Sequence, residues 1–218
     1  MTDWLVWQLV DSGFPAGSFA HSFGLEAAWH QGEVDAASLH LFARDAIEQA
    51  GWSMLPFMSH AHAHPDDIDA ADARCDAFLR SPVANRASRT QGRAWLATIA
   101  ASVAREHVRA VCQRARLLTA KHHAVVFGAT LSALDVGLPV AQRMFLFGVC
   151  RGVAAAAVRL GIVGTTQAQR IIGESAGDLE RTLARCSVLT LDEAAQTAPL
   201  LDLWQSSHDR LYSRLFQS

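Results

Sequence analysis

Lysine is almost missing from this 218-residue chain: of its 19 basic residues only Lys121 is not an arginine, and Tyr212 is the single tyrosine. Gly13 and Gly17 invite comparison with a phosphate cradle, but no Gly-x-x-x-x-Gly-Lys-Ser/Thr follows and the one lysine is far away, which excludes a P-loop nucleotidase. Cysteine is sparse as well. Cys75, Cys112, Cys150 and Cys186 lie far apart with no Cys-x-x-Cys pair, each in an apolar helical pattern suited to a reduced, buried thiol. Nowhere do β-branched and polar residues alternate over a strand's length, so the fold class is all-α. No Ser/Gly/Pro linker, internal repeat or low-complexity run divides the chain, and residues 1–218 are expected to form one helical bundle of about eight to ten helices. The N-terminus, Met1 to Trp7, lacks a basic n-region, and the most apolar span, Met144 to Val163, is interrupted by Arg151 and Arg159. Neither secretion nor a membrane span is expected, and a cytoplasmic location fits. A net charge of −2 gives no overall attraction to nucleic acid or anionic lipid.

What the chain does have is concentrated first in Asp11 to Glu26, a Gly- and Pro-containing loop between two helical patterns. Pro15 pre-sets a turn, Gly13 and Gly17 admit unusual backbone angles, and Ser22 stands where an N-cap should open the helix of Leu25, Ala28 and Trp29. The segment presents Phe14, Phe19, His21 and Phe23. From the residues alone it is equally a functional loop or a buried connection whose Phe side chains fill the core.

Around it the helices follow in order. Asp3 can cap a first helix, Trp4 to Val10, whose apolar residues on nearly every side predict burial. Leu39, Phe42, Ala43, Ala46, Ile47 and Ala50 mark the clearest amphipathic helix. Trp52 to His64 bends or restarts near Pro56, and Pro65 opens a helix to Leu79 that Pro82 ends. The pattern resumes at Asn85, breaks near Ser102 and continues to Leu118. His122 to Leu134 is apolar, and Leu138-Pro139 begins a long helix to about Leu160, the expected central helix. Its Gly148, Gly152 and Ala156 are spaced to admit another helix closely. Thr165 is a candidate cap, Asp178 to Cys186 another helix, Thr190 to Glu193 a capping box, and Pro199 the start of the last helix.

Several constellations invite chemistry. His60 and His64 share a helix face at i and i+4, as paired metal ligands can, with His62 pointing elsewhere. No Glu follows the first His, and Pro65 suggests a fraying, solvated end, so no metal ligand is assigned. Ser12, Ser18 and Ser22 lie near His21 without a Gly-x-Ser-x-Gly elbow, and no catalytic residue is assigned. Arg86, Arg89 and Arg93 fall on one side of a helix, with Arg105, Arg109 and Arg116 further on. Aromatic interleaving is absent apart from Trp95, so a solvated or protein-binding face is favoured over a nucleic-acid face. The alternative kept open is an all-α, metal-responsive nucleic-acid-binding regulator.

The pattern Asp11-Ser-x-x-Pro-x-Gly-x-Phe-x-His-Ser-x-Gly-Leu-Glu26 resembles the N-terminal signature of the urease accessory protein UreF family. Asn85-Arg-Ala-Ser-Arg-Thr-Gln-Gly92 is similar to a second motif of that family and His122-His-Ala-Val-Val-Phe-Gly128 to a third. Ala157 to Gly161 with Gln167 to Gln169 is similar to a fourth more loosely. The ending Tyr212-Ser-Arg-Leu-Phe-Gln-Ser218 resembles the family's closing Ser-Arg-Leu-Phe-x-Ser. The resemblance implies an all-α dimer without catalytic activity, cofactor or nucleotide. Such a protein joins UreD (also called UreH) and the GTPase UreG on apo-urease while nickel is delivered and the active-site lysine is carbamylated. It makes Phe14, Phe19, His21, Arg86, Arg89, Tyr212, Arg214, Leu215 and Phe216 the partner-binding candidates. The tail, about 208–218, is expected to order on UreD through Arg214 and Phe216, and the start of the Arg86 to Arg93 helix to receive the GTPase. The His60 to His64 cluster has no counterpart in the family.

Overall fold

The computed structural model describes residues 3–17, 20–103 and 105–217. Among them are twelve α-helices and no strand: α1 (Asp3–Val10), α2 (Leu25–His30), α3 (Leu39–Ser53), α4 (Leu55–Ala63), α5 (Ile68–Phe78), α6 (Pro82–Ser102), α7 (Glu106–Leu117), α8 (His123–Ala133), α9 (Leu138–Arg159), α10 (Thr165–Glu174), α11 (Ala176–Cys186) and α12 (Pro199–Ser207). The all-α class holds. The number is slightly above the eight to ten expected, and some neighbours are divided by a single residue, Met54 between α3 and α4 and Ser175 between α10 and α11.

Proline opens four of these helices, at Pro56, Pro82, Pro139 and Pro199, where a missing backbone N–H costs nothing. One boundary expected from Pro82 is corrected by this. α5 already stops at Phe78, and Pro82 begins α6 rather than ending its predecessor, with Ser81 Oγ accepting from the Ala84 N–H at 3.4 Å. Two expected caps are also corrected. Gly24, in the left-handed region at φ 87°, precedes α2 in place of Ser22, and Gly164 precedes α10 in place of Thr165. The Thr190 capping box forms, with the Thr190 N–H donating to Glu193 Oε2 at 2.9 Å, but it opens only a 3-10 turn, Leu191–Glu193. The side chain of Asp3, and with it the expected cap of α1, lies outside the described residues.

α8 is enclosed on all sides by α4, α5, α6, α7 and α9, and Ala124 through Leu131 are buried without interruption. Its closest neighbour is α4. A Cβ on Gly128 would lie 2.1 Å from the Met58 carbonyl oxygen, so the two backbones approach as they do only because that position has no side chain. α9 takes a different part, running through both apolar clusters. Met144, Phe145 and Leu146 belong to the one around α8, whereas Val153, Ala157 and Leu160 belong to the one around α2, α3 and α10. The central role expected of α9 is thus shared with α8. Gly152 does admit a close neighbour, but it is the Phe23 ring, whose Cε2 would meet a Cβ there at 2.7 Å, and not another helix.

α1 overturns its expectation. Leu9 is buried and Leu5, Val6 and Val10 pack on the core, but Trp4 and Trp7 are 80% and 66% exposed. A helix apolar on every side need not be buried on every side when it lies at the edge. α9 taken alone is long and apolar enough to cross a membrane, and 56% of its most apolar stretch is buried inside the fold. Arg151 on that helix is tied down by donating to the Val10 carbonyl at 2.8 Å.

Candidate functional site

The loop after α1 and the last residues of the chain lock onto each other. Glu26, in the first turn of α2, is completely buried, and its carboxylate accepts from three donors of the C-terminal segment. His208 Nε2 lies at 2.9 Å from Oε2, the Leu215 N–H at 2.6 Å from Oε1 and the Phe216 N–H at 3.2 Å from Oε2. Buried carboxylates are tolerated only when paired and hydrogen-bonded, and here the partners come from 182 to 190 residues away in sequence. The Gln217 N–H donates to the Ala20 carbonyl at 2.8 Å, and Arg159 both donates to the Leu215 carbonyl at 2.8 Å and lies 4.6 Å above the Phe216 ring. Gly24 makes room for this clamp. A Cβ there would come within 3.0 Å of the Gln205 N–H on α12, and its positive φ would strain any other residue.

The loop is more interior than its composition suggests. His21 is 3% exposed, and burial, with the charges of His208 and Arg86 behind it, pulls its imidazole down to about 4. His123 is likewise drawn down to about 4, by burial first and His21 second. Phe14 is half-buried with its ring 5.4 Å from that of Trp95, whose Nε1–H donates to Thr130 Oγ1 at 2.7 Å. His21, Phe23, His123, Phe145, Gly148 and Arg151 surround a mainly apolar cavity of about 190 Å³. Phe19 and Ser18 lie outside the described residues, and Ser22 is fully buried.

The tail divides into a buried and an exposed part. Phe216 is 6% exposed, packed in the cluster with Leu25 and Leu160, so its ring occupies this chain's own core. Tyr212, Arg214 and Leu215 face solvent. Arg86 and the tail, expected as separate surfaces, are brought together: Arg86 Nη2 donates to both oxygens of Asp209 at 2.8 and 3.0 Å, and Arg214 Nη1 reaches the same carboxylate at 3.1 Å. Arg89 lies on the same side of α6, lining a cleft with Arg80, Arg86 and Arg93.

Behind α6 a second buried acid orders the segment before α8. Asp72 accepts from the backbone N–H groups of Ala120, Lys121 and His122 at 2.8 to 3.0 Å. His122 shares Asp76 with Asn85, at 3.1 and 2.9 Å. The Asn85 hydrogen bond, with help from His122 and the charge of Arg89, holds the Asp76 carboxyl below the usual range. The motifs around Asn85 and His122 thus meet in one network.

The histidine cluster of α4 is divided among structural partners. His60 Nε2 lies 2.8 Å from Asp67 and His62 Nε2 lies 2.7 Å from the Val136 carbonyl, while the His60 and His64 rings sit 4.8 Å apart. No group of three or more His, Cys, Asp or Glu suited to a metal occurs among the described residues. The regulator alternative gains no support from this arrangement. Glu26, Asp72, Arg159 and His208 carry no site role in the sequence reading, although Glu26 closes the N-terminal motif. Only Glu26 and Asp72 carried a signal, as acids set among the apolar residues of a core-facing helix.

Comparison with known proteins agrees with the motifs. The UreF family model matches residues 34–176, well over half of the chain. Urease accessory protein F of Arabidopsis thaliana is 38% identical over 99% of this chain and 92% of its own length. Its counterpart in Oryza sativa subsp. indica is 36% identical over 98% and 84%. Urease accessory protein UreF of Trichodesmium erythraeum is 29% identical over 96% and 94%. The chain that joins its two ends on Glu26 belongs to the UreF family of urease accessory proteins.

Proposed function

We propose that this chain acts in urease maturation as a non-enzymatic scaffold that joins UreD (UreH) and the GTPase UreG on apo-urease while the nickel centre is assembled. In this reading it works in the cytoplasm, as a single domain that pairs with a second copy. The observation that carries the proposal is the outer cluster in which Arg86 and Arg214 share Asp209, on the same segment as the exposed Tyr212 and Leu215, in a protein whose family is that of the urease accessory proteins. Tyrosine and arginine are enriched among the anchors of protein interfaces, and Tyr212 is fully exposed three residues before the exposed Leu215. UreD is assigned to the Tyr212 and Leu215 side of this face. The GTPase is assigned to the Arg86 and Arg89 side, where positive charge steers an acidic partner.

The test is binding of purified full-length protein to UreD and UreG separately. Tyr212→Ala with Leu215→Ala should leave thermal melting unchanged and weaken UreD binding at least about tenfold, a typical loss for an interface anchor. Arg89→Glu should slow association with UreG and flatten its salt dependence. Normal binding by both variants would remove this face from the assembly.

A further inference from the structure

A second site lies on the same side of the molecule and needs no partner protein to be defined. Between the end of α5 and the first turns of α6, a cleft of about 420 Å³ is lined by Leu79, Pro82 and Asn85 and by four arginines, Arg80, Arg86, Arg89 and Arg93. Three of these follow from helical spacing, since residues 86, 89 and 93 stand one above another on α6, and the fourth is delivered by the turn between the helices. The volume is that of a small-ligand pocket.

Gathering four like charges opposes folding unless something compensates them. Helix neighbours of the same sign three or four apart are mutually destabilising. Other arginines of this protein have found acids: Arg74 with Asp192, Arg114 with Asp66 and Asp69, Arg185 with Glu48. In the cleft only Arg86 has done so, through Asp209 at its rim. Arg93 donates to the neutral Thr90 hydroxyl at 3.0 Å, and among the described residues neither Arg80 nor Arg89 has a carboxylate within 4.0 Å. Arg89 is the least exposed of the four. Its charge acts on Asp76 from beyond ion-pair distance, and that carboxylate is also held by Asn85 and His122.

We propose that the Arg80, Arg86, Arg89 and Arg93 cleft is a binding site for a compact polyphosphate, whether inorganic or carried by a nucleotide. Planar guanidinium forks match phosphate oxygens in pairs, and several forks converging on one concavity suit a ligand with clustered oxygens better than a lone carboxylate. Leu79 and Pro82 are its only apolar lining residues and no aromatic ring lines it, so the ligand it favours is small and anionic rather than apolar. The site stands on the cleft alone, and failure of the maturation reading would leave it untouched.

Calorimetric titration of the full-length protein with sodium pyrophosphate and tripolyphosphate, at about 50 mM salt so that screening stays modest, tests it directly. Saturable one-to-one binding is expected. Arg89→Gln should weaken it about tenfold, the loss of one charged hydrogen-bond pair, and the exposed Arg93→Gln several-fold, while Arg74→Gln should change nothing. Melting curves establish that each variant is folded, and Arg93→Gln serves if Arg89→Gln is not. A GTP titration identifies the source. Affinity equal to tripolyphosphate means that phosphates alone are read, and tighter binding means that the nucleotide is the ligand. Absence of saturable binding, equal weakening by Arg74→Gln, or equal displacement by sodium acetate at matched ionic strength would overturn the site. So would a cleft whose Arg89→Glu variant loses UreG while the native protein ignores both phosphates.

Discussion

Glu26 has no exposed surface, so its stability depends on the donors already in place around it, and all three belong to residues 208–216. Replacing it by alanine leaves the His208 Nε2–H and two backbone N–H groups without an acceptor in the core. Removing one partner of such a buried set costs on the order of 3 kcal/mol. Glu26→Ala should therefore lower the urea midpoint and speed tryptic cleavage after Arg210 and Arg214. Unchanged resistance would mean that Phe216 alone holds the tail. His21 and His123 set a second expectation at single residues. Both are pulled from 6.5 to about 4 by burial, so they stay neutral in the native state where the unfolded chain takes up a proton. Their contribution is fully present above pH 6.5 and is lost progressively as pH falls toward 4, each at up to about 1.4 kcal/mol per pH unit. Urea unfolding at pH 7.5 and pH 5 should show this loss, and His123→Phe, placed against Phe145 and Phe127, should reduce it. A variant with undiminished acid sensitivity would shift the cause elsewhere.

The crossing of α4 and α8 depends on the absence of one methyl group. Gly128→Ala would bring Cβ to 2.1 Å from a backbone carbonyl, which no rotamer change relieves, so the helices must separate. A loss of about 3 kcal/mol or more is expected by chemical denaturation, against near neutrality for Gly173→Ala, where a Cβ meets nothing. Periodicity and proline made most helices readable, because both act within a turn or two: α3 from its apolar stripe, α9 from Leu138-Pro139, α7 from its polar face. What it could not supply was which side of an element meets another. α1 is apolar nearly all round, and only its position at the edge leaves Trp4 and Trp7 in water. Ser22 has the chemistry of a cap, yet α12 passes so close that the turn needs Gly24 at that place instead. The Arg86 to Arg93 side of α6 was legible from spacing, whereas its junction with Asp209 joins residues 123 apart and has no local signature.

The two ends of the chain make one surface, and this changes what removal of the tail should do. From sequence the tail, about 208–218, reads as a segment that orders on UreD rather than on its own core. Phe216 instead fills the cluster with Leu25 and Leu160, Arg159 caps its ring, and Glu26 depends on the Leu215 and Phe216 N–H groups. Burial of one phenylalanine side chain contributes about 2 kcal/mol. Loss of two hydrogen bonds to a buried carboxylate adds about 2 to 3 kcal/mol more. For a chain of this size each kcal/mol moves the melting temperature by about 2–4 °C, so truncation after Asp209 should lower it by roughly 10 °C or more. The truncated protein therefore does not by itself report on a partner. Phe216→Ala should reproduce most of the fall in melting temperature, whereas Tyr212→Ala, at a side chain wholly in solvent, should reproduce none of it. If the surface reading is right, Tyr212→Ala weakens UreD binding at full stability. A truncated chain that melts as the native one does would return the tail to the surface and leave Glu26 to be held by His208 alone.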